Sequence, residues 1–256
     1  MVMAPHTIVP APEPRGLRYG LLTAANGPLD LPAPAGHGGG VQYEPVSCGF
    51  ARLYPVDCDD DPPEKTFDPA DPWVTADPLV AYATLTCSAV GSTAQSLEAK
   101  VARRLANGEQ SIAEQALDAV LSTAGGPTLT APDPTRIKSV IGELEQWLYG
   151  PDGANYGNVG YLHAPFRYAQ VADPVADGRL LRTKLGSIWV FGAYPDDGTI
   201  RISGQVTVWR APEVFVSPAG QGFDRASNTY RLLAEREYAV AFDCVTAEAS
   251  YQEGTP

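Results

Sequence analysis

The sequence lacks the residue patterns that mark the common enzyme classes. It contains no Gly-x-Ser-x-Gly nucleophile turn, no phosphate-binding loop of the Walker type and no Gly-x-Gly-x-x-Gly dinucleotide fingerprint. The three histidines, His6, His37 and His163, lie far apart in the sequence, whereas a histidine metal site needs at least two close ligands. We therefore predict that the protein is not an enzyme and holds neither a cofactor nor a metal ion.

Basic residues and long apolar runs are also scarce. The chain has 18 Lys and Arg against 30 Asp and Glu, a formal net charge of -12. Such a surface repels phosphate backbones, so we expect no sequence-specific nucleic acid partner. No run approaches the roughly 20 apolar residues that cross a bilayer, and the N-terminus has neither a basic start nor a continuous apolar stretch. We expect neither a membrane partner nor a secretory signal.

The four cysteines, Cys48, Cys58, Cys87 and Cys244, form no Cys-x-x-Cys pair and have no histidine at a zinc-site spacing. Two interpretations remain open. Cys48 and Cys58 could pair across the arms of one hairpin, or the cysteines could be reduced, partly buried thiols in a protein made in the cytosol.

Three short patterns resemble reactive sites but have simpler explanations. The run from His37 to Gly40 matches the oxyanion loop of some lipases, yet without a nucleophile turn it indicates flexible chain. His163 is expected to be a hydrogen-bonded polar residue at a strand end. Glu109 and Glu114 are expected on an exposed helix face rather than in a metal or catalytic site.

The first 77 residues are irregular. Residues 1–40 form an arm rich in Pro, Gly and Ala, which favours extended backbone. Residues 41–56 contain short β-prone stretches broken by Pro and Gly, and predict an irregular hairpin or extended loop. Residues 57–65 form a solvated acidic turn. A calcium site there is the alternative, but the alternation and downstream Glu of a helix-loop-helix site are absent.

Two amphipathic helices follow. Ser92 and Gln95 predict a capping box for a long helix over residues 91–121, which the pair Asn107-Gly108 could kink. Its predicted apolar stripe is Leu97, Val101, Leu105, Ile112, Ala116 and Val120.

The second helix is predicted to start with Asp133 as N-cap and Pro134 at its first position, and to end at Gly150. Glu143 and Glu145 fall on different sides of this helix, which argues against a proton-sharing pair. Its predicted apolar face is Ile137, Val140, Ile141, Leu144, Trp147 and Leu148.

The rest of the chain has the pattern of strands separated by Gly, Pro and Asp turns. A buried strand is predicted at residues 78–87 before the first helix, and another at 187–193. Turns are predicted at 195–198 and 224–228. The further predicted strands cover residues 160–165, 201–209, 213–216, 230–244 and 246–251.

This order of elements resembles the major capsid proteins of tailed phages, of the Hong Kong ninety-seven type, whose fold encapsulins share. Residues 91–121 resemble the spine helix, and residues 41–65 occupy the place of the extended loop. The stretches 160–165 and 181–186 resemble a pattern common in capsid-like proteins of actinobacterial phages, and 204–208 and 224–236 continue it. The similarity covers most of the chain after about residue 80.

The resemblance implies an α+β capsid fold. Its implied divisions are an N-terminal arm (1–40), an extended β-hairpin loop (41–77), a peripheral domain with the spine helix (78–130), a central mixed-sheet domain (131–203) and strands that return to both domains (204–256). Some members cross-link an extended-loop Lys to a peripheral-domain Asn. Lys65 and Asn228 lie in those regions, although an ordinary surface Lys and a turn Asn explain them as well.

The resemblance also implies function: an icosahedral shell subunit that assembles with copies of itself into hexamers and pentamers around a phage genome, in the virion, after assembly in the host cytoplasm. Portal, scaffold and decoration proteins are further candidate partners. The alternatives are a head decoration, head completion or tail protein, and an encapsulin-like compartment. Apolar residues on segments with little core of their own predict the intersubunit contacts: Leu17, Tyr19, Leu21, Leu22, Tyr43, Phe50, Leu53 and Tyr54.

Overall fold

A computed structural model describes residues 18–32, 40–45, 48, 64–65, 72–88, 91 and 93–253. Within them the chain is α+β, with helices on mixed sheets, as predicted. The α-helices are α1 (Leu21–Ala24), α2 (Ala94–Thr123) and α3 (Ile137–Tyr149). None of these helices combines the length and hydrophobicity that a membrane-spanning helix requires.

A first sheet is built around one long strand, β14, which pairs with a second long strand, β4, over its first eleven residues. On its other side β14 pairs in turn with β13, β12 and β11, and β1 lies parallel to β11. The strands are β1 (Asn26–Asp30), β4 (Pro78–Ser88), β11 (Val206–Arg210), β12 (Phe215–Val216), β13 (Phe223–Asp224) and β14 (Thr229–Phe242).

A second sheet has the strand order β5-β15-β10-β6-β9-β8-β7. β6 and β9 are parallel neighbours at its centre, and every residue of both strands is buried. The strands are β5 (Thr128–Leu129), β6 (Tyr161–Pro165), β7 (Val175–Asp177), β8 (Leu180–Arg182), β9 (Ile188–Gly192), β10 (Thr199–Ser203) and β15 (Thr246–Ser250).

The second sheet separates two hydrophobic cores because side chains alternate across a strand. Ile188 and Val190 point into the core that contains α2 and the first sheet. Trp189 and Phe191 point into the core that contains α3. The molecule is therefore layered, with α2 and the first sheet on one side of the second sheet and α3 on the other.

The root of the predicted extended loop is a two-stranded antiparallel pair. Strand β2 (Val41–Tyr43) pairs with β3 (Val74–Ala76), with Val41 opposite Ala76. Most of the chain between them, including the acidic turn apart from Glu64 and Lys65, lies outside the described residues. A hairpin over this region agrees with the register at its root.

The strand predicted before α2 is present as β4, but the prediction that it is buried is wrong for one of its two faces. Burial along β4 alternates, and Val80 and Tyr82 are 50% and 68% exposed. Ala81 and Leu85 point inward onto α2. The covered face and the open face of β4 therefore both carry apolar residues. The near-continuous apolar letters concealed this alternation.

The predicted stripe on α2 is correct in its first half and wrong in its second. Buried positions continue from Leu105 in steps of four through Glu109, Ala113, Leu117 and Leu121. Ile112 and Val120, predicted to face the core, are 38% and 41% exposed, and Ala116 is only half-buried. The error arose because Glu109 was assigned to the surface. The positions predicted to be buried after it therefore lie one residue before the positions that are buried.

The ends of both helices also differ in detail from the prediction. Thr93 caps α2, its Oγ1 accepting from the Ser96 amide at 3.2 Å, and the helix continues unbroken through Asn107 and Gly108. Helix α3 begins at Ile137, since Asp133 instead accepts from the Thr135 amide in the preceding turn. The predicted apolar face of α3 is buried except for Trp147, which is half-buried, and Gly150 is the C-cap as predicted.

Most strands and turns predicted after α3 are confirmed with small shifts in their bounds. The single strand predicted over residues 201–209 is wrong, because this stretch forms two strands, β10 and β11, that lie in different sheets. The turn at 195–198 is present, with Asp197 accepting from the Thr199 amide. The turn at 224–228 joins β13 to β14, and Asn228 there has a positive φ of 51°, a conformation that Asn tolerates well.

Candidate assembly surfaces and their supports

The root of the extended loop is packed on the first sheet. Val41, Ala76 and Trp209 form a small core with their neighbours on β14, and the ring of Tyr43 lies 5.3 Å from that of Trp209. The Tyr43 hydroxyl donates to Asp243 Oδ1 at 2.8 Å. Burial and the adjacent carboxylate raise the pKa of Tyr43, and burial raises the pKa of Asp243. The predicted contact residue Tyr43 therefore anchors the loop root to its own chain.

A disulfide joins the same two regions. Cys48, five residues beyond Tyr43, is bonded to Cys244, which follows Asp243 directly, and their Cα atoms are 5.3 Å apart. Neither cysteine interpretation foresaw this bond, because the partner of Cys48 is 196 residues away. Cys87 is a free thiol, and Cys58 lies outside the described residues.

The N-terminal segment is held by one buried carboxylate. Glu114 is fully buried, contrary to prediction, and accepts from the backbone amides of Leu21 at 3.2 Å and Ala193 at 2.7 Å. Gly192 leaves room for it, since a Cβ there would lie 2.4 Å from the carboxylate carbon. Burial raises the pKa of Glu114, and the two amide hydrogen bonds oppose that rise.

The predicted intersubunit residues thus fall into three groups. Leu21 is completely buried in the core of its own chain, so its burial does not require a neighbour. Tyr19, Leu22 and Tyr43 are half-buried and keep some surface for one. The remaining four lie outside the described residues: Leu17, Phe50, Leu53 and Tyr54. Their part in assembly stays a prediction.

Ion pairs join α2 to both sheets. Glu109 lies 3.1 Å from Arg236 on β14 and 3.6 Å from Arg210 at the end of β11. Asp118 pairs with Arg201 on β10, which also lies 3.2 Å from Glu248. Burial raises the pKa of Asp118, and Arg201 opposes that rise. These carboxylates are buried because each has a cationic partner, so the exposed face predicted for Glu109 is wrong.

His163 is hydrogen-bonded, as predicted, but it lies buried at the centre of β6 and not at a strand end. Its ring nitrogens lie 3.0 Å from the Tyr194 hydroxyl and 2.9 Å from the Ser203 hydroxyl. Burial, assisted by Arg201, lowers its pKa to about 3. The imidazole is therefore neutral near pH 7, and all of its polar atoms have partners within the fold.

Glu145 is also buried and accepts from the hydroxyls of Thr183 and Ser187, each at 2.6 Å. It ties α3 to the turn between β8 and β9, whereas Glu143 is half-buried elsewhere on the helix. No group of three potential metal ligands comes together among the described residues.

The open face of the first sheet is an exposed surface with apolar residues that the sequence pattern did not predict. Val80 and Tyr82 on β4 are joined by Phe215 on β12, which is 56% exposed. A groove of about 640 Å³ beside them is lined by both Val80 and Phe215, by the loop between β11 and β12, and by charged residues of β14. A test for period-two alternation in residues 78–87 would have revealed this face.

Comparison with known proteins identifies the fold through structure. No protein-family model and no curated protein matches the sequence. Solved structures do match over nearly the whole chain. The capsid of an empty GTA particle is 11% identical, with a TM-score of 0.58, covering 97% of this chain and 95% of that one.

Two phage structures give similar values. A Mycobacterium phage Adephagia structure is 12% identical with a TM-score of 0.55, covering 96% and 93% of the two chains. The mature capsid of bacteriophage PhiM1 is 10% identical with a TM-score of 0.50, covering 100% and 93%. The chain therefore has the capsid fold of tailed phages, of the Hong Kong ninety-seven type, as the resemblance implied.

Proposed function

We propose that this protein is the structural subunit of an icosahedral phage shell, assembling with copies of itself into hexamers and pentamers around a genome. The observation that carries the proposal is the two-way coverage of the fold: 97% of this chain aligns with 95% of a capsid subunit. Alignment over nearly the whole of both chains is what a shell subunit would give, whereas a protein that shares only one capsid domain would align over part of its length. The role is structural, and no catalytic activity is part of it.

The distribution of apolar surface supports this proposal. Monomeric soluble proteins rarely leave large contiguous apolar patches open, and such patches mark interaction sites. Here Val80, Tyr82 and Phe215 lie on the same open side of the first sheet, with Glu235 on the strand between Tyr82 and Phe215. Trp73, beside the loop root, is 60% exposed. Neighbouring copies would cover both regions in a shell.

The domain assignment follows from the same proposal. The first sheet with α2 as spine helix corresponds to the peripheral domain, and the second sheet with α3 corresponds to the central domain. The strands after residue 203 serve both domains, with β11 and β14 in the first sheet and β15 in the second. The arm before α1 and the loop beyond β2 would reach neighbouring subunits.

Particle formation by the purified full-length chain tests the proposal. We expect size-exclusion chromatography with light scattering to find capsomers or closed particles, and cryo-electron microscopy to find fivefold and sixfold clusters of this chain. A monomer at all concentrations would contradict the proposal, and so would binding as a decoration to a shell made of another protein. Particles filled with a protein cargo in place of nucleic acid would replace the phage role with that of a compartment.

A matched pair of variants on the open face connects this result to the structure. Tyr82→Ala removes most of a side chain that is 68% exposed, whereas Tyr82→Phe keeps the ring. We expect Tyr82→Ala to lower the particle yield at least about tenfold, because roughly 1.4 kcal/mol per contact changes an association constant tenfold. Tyr82→Phe should assemble normally. Equal yields from both variants would remove this face from the assembly surface.

A further inference from the structure

The disulfide lies at a point where both partners are already held by other contacts. The Tyr43 hydroxyl donates to Asp243, so the chain that carries Cys48 is fixed five residues away from it, and Cys244 is fixed by its own neighbour. The Cα separation of 5.3 Å lies within the range of unstrained disulfides. The fold alone therefore brings the two sulfurs together.

The backbone at Cys244 points to a role for its side chain. Its φ is 56°, in the left-handed region that Gly and Asn adopt at lower cost than Cys. It forms the tight corner between β14 and β15, where the Val245 amide donates to the Asp243 carbonyl at 2.6 Å. Backbone geometry alone does not favour a cysteine at this corner.

Among the described residues, neither cysteine is sealed in a core. Cys48 and Cys244 are each half-buried, and an open apolar cleft beside them is lined by Trp73, Val120 and Phe242. Thiol–disulfide exchange requires such access as well as a thiolate. A structural disulfide sealed in a core would lack that access.

We propose that Cys48 and Cys244 form a redox latch that locks the root of the extended loop onto its own subunit. The thiols are reduced in a reducing cytosol, and a small-molecule disulfide such as oxidised glutathione closes the latch once the protein leaves it. One cysteine thiolate attacks the small disulfide, forming a mixed disulfide and releasing a thiolate. The second cysteine thiolate then displaces the other half, so the protein dithiol is oxidised, the small disulfide is reduced to two thiols, and both protein protons pass to them.

The closed latch has a mechanical consequence. It adds a covalent bond to the non-covalent contacts of Tyr43 and Trp209, so the root of the loop stays attached to its own subunit when those contacts loosen. A cross-link between distant residues also restricts the unfolded chain, which stabilises the folded one. That the latch stiffens an assembled particle rests on the proposed shell function, whereas the latch within one subunit does not.

The test compares reduced and oxidised full-length protein. Peptide mapping under non-reducing conditions after incubation with oxidised glutathione should recover Cys48 linked to Cys244. The Tm of the oxidised protein should exceed that of the reduced one by roughly 5–15 °C, as expected for a cross-link in a chain of this size. Cys48→Ser and Cys244→Ser should abolish this difference, and Cys87→Ser, the matched control at a free thiol, should preserve it.

The outcomes separate the latch from the shell function. A Cys48–Cys58 link, or an unchanged Tm despite the Cys48–Cys244 link, overturns the latch. Particles that form while Cys48 and Cys244 resist oxidation also overturn it and leave the shell function standing. A subunit that closes the latch but never assembles supports the latch and contradicts the shell function.

Discussion

The two large sheets differ in how their faces are covered. The central strands of the second sheet, β6 and β9, are buried on both faces, between α2 and the first sheet on one side and α3 on the other. The first sheet is covered by α2 on one face and is open at β4 on the other, where Tyr82 is 68% exposed. The second sheet is therefore enclosed within the subunit, whereas the first sheet keeps one face open to solvent.

Truncating one aromatic side chain on each sheet is the most direct test of this difference in burial. Trp189 on β9 is 2% exposed and stacks on Phe191 with ring centroids 4.6 Å apart. We expect Trp189→Ala to lower the free energy of unfolding by about 3–5 kcal/mol, because it leaves a cavity in the core around α3. Tyr82→Ala should lower it by no more than about 1 kcal/mol in the unassembled subunit. Urea unfolding measures both, and equal losses would show that the two sheets are not differently buried.

The ion pairs between α2 and the second sheet should give the next largest effect. Arg201 and Asp118 have side chains only 11% and 12% exposed. Replacing Arg201 by Met leaves the Asp118 carboxylate buried without its guanidinium partner, which costs about 3 kcal/mol. The pKa of Asp118, already raised by burial, then rises further, so the loss should be smaller at pH 5 than at pH 8.

Lys138→Met is the matched control for this change. Lys138 and Asp173 also pair at 3.0 Å, but their side chains are 63% and 71% exposed. Water and salt screen such a pair, so we expect less than about 1 kcal/mol and little dependence on pH. A loss in Lys138→Met as large as in Arg201→Met would contradict the structural role of the buried pair.

His163 should contribute a smaller effect than the buried Arg201 pair, and only in acid. Its pKa is about 3 in the folded protein and near 6.5 when unfolded, so between these values the unfolded chain binds a proton that the folded one does not. Stability is therefore lost as the pH falls below about 6.5, by at most about 1.4 kcal/mol per pH unit. His163→Gln should remove this loss, which urea unfolding at pH 7 and pH 5 would measure.

Two nearby carboxylates have the opposite effect on the pH dependence of the free energy of unfolding, so their contribution must be separated from that of His163. Burial raises the pKa values of Glu114 and Asp118, so these groups favour the folded state as the pH falls. Because both are present in the parent protein and in His163→Gln, the difference between the two isolates the histidine. An identical pH dependence in both proteins would show that folding does not shift the pKa of His163, which would contradict its burial.

Sequence periodicity predicted the regular elements well where one chemical signal dominated. The buried face of α3 was predicted correctly because its buried positions include Val140, Leu144 and Leu148. Glu145 is the only charged residue among the buried positions of this helix. The prediction of the buried face of α2 is wrong in its second half because the buried stripe contains Glu109, Glu114 and Asp118, which hydropathy assigns to the surface. The arginine partners of Glu109 and Asp118, which are Arg201, Arg210 and Arg236, are at least 83 residues away along the chain. The amides that donate to Glu114, those of Leu21 and Ala193, are at least 79 residues away.

The arm predicted over residues 1–40 instead contains helix α1 and strand β1. The sequence by itself determined the α+β class, the order of the elements after residue 78, the two long helices and the resemblance to phage capsid proteins. These depend on local periodicity and on Pro and Gly, which act within a few residues. Only the tertiary structure decided the open face of β4, the burial of the α2 carboxylates, the hydrogen bonds from the Leu21 and Ala193 amides to Glu114, and the pairing of Cys48 with Cys244. Each of these depends on groups far apart in the sequence, whose proximity exists only once the layers have packed.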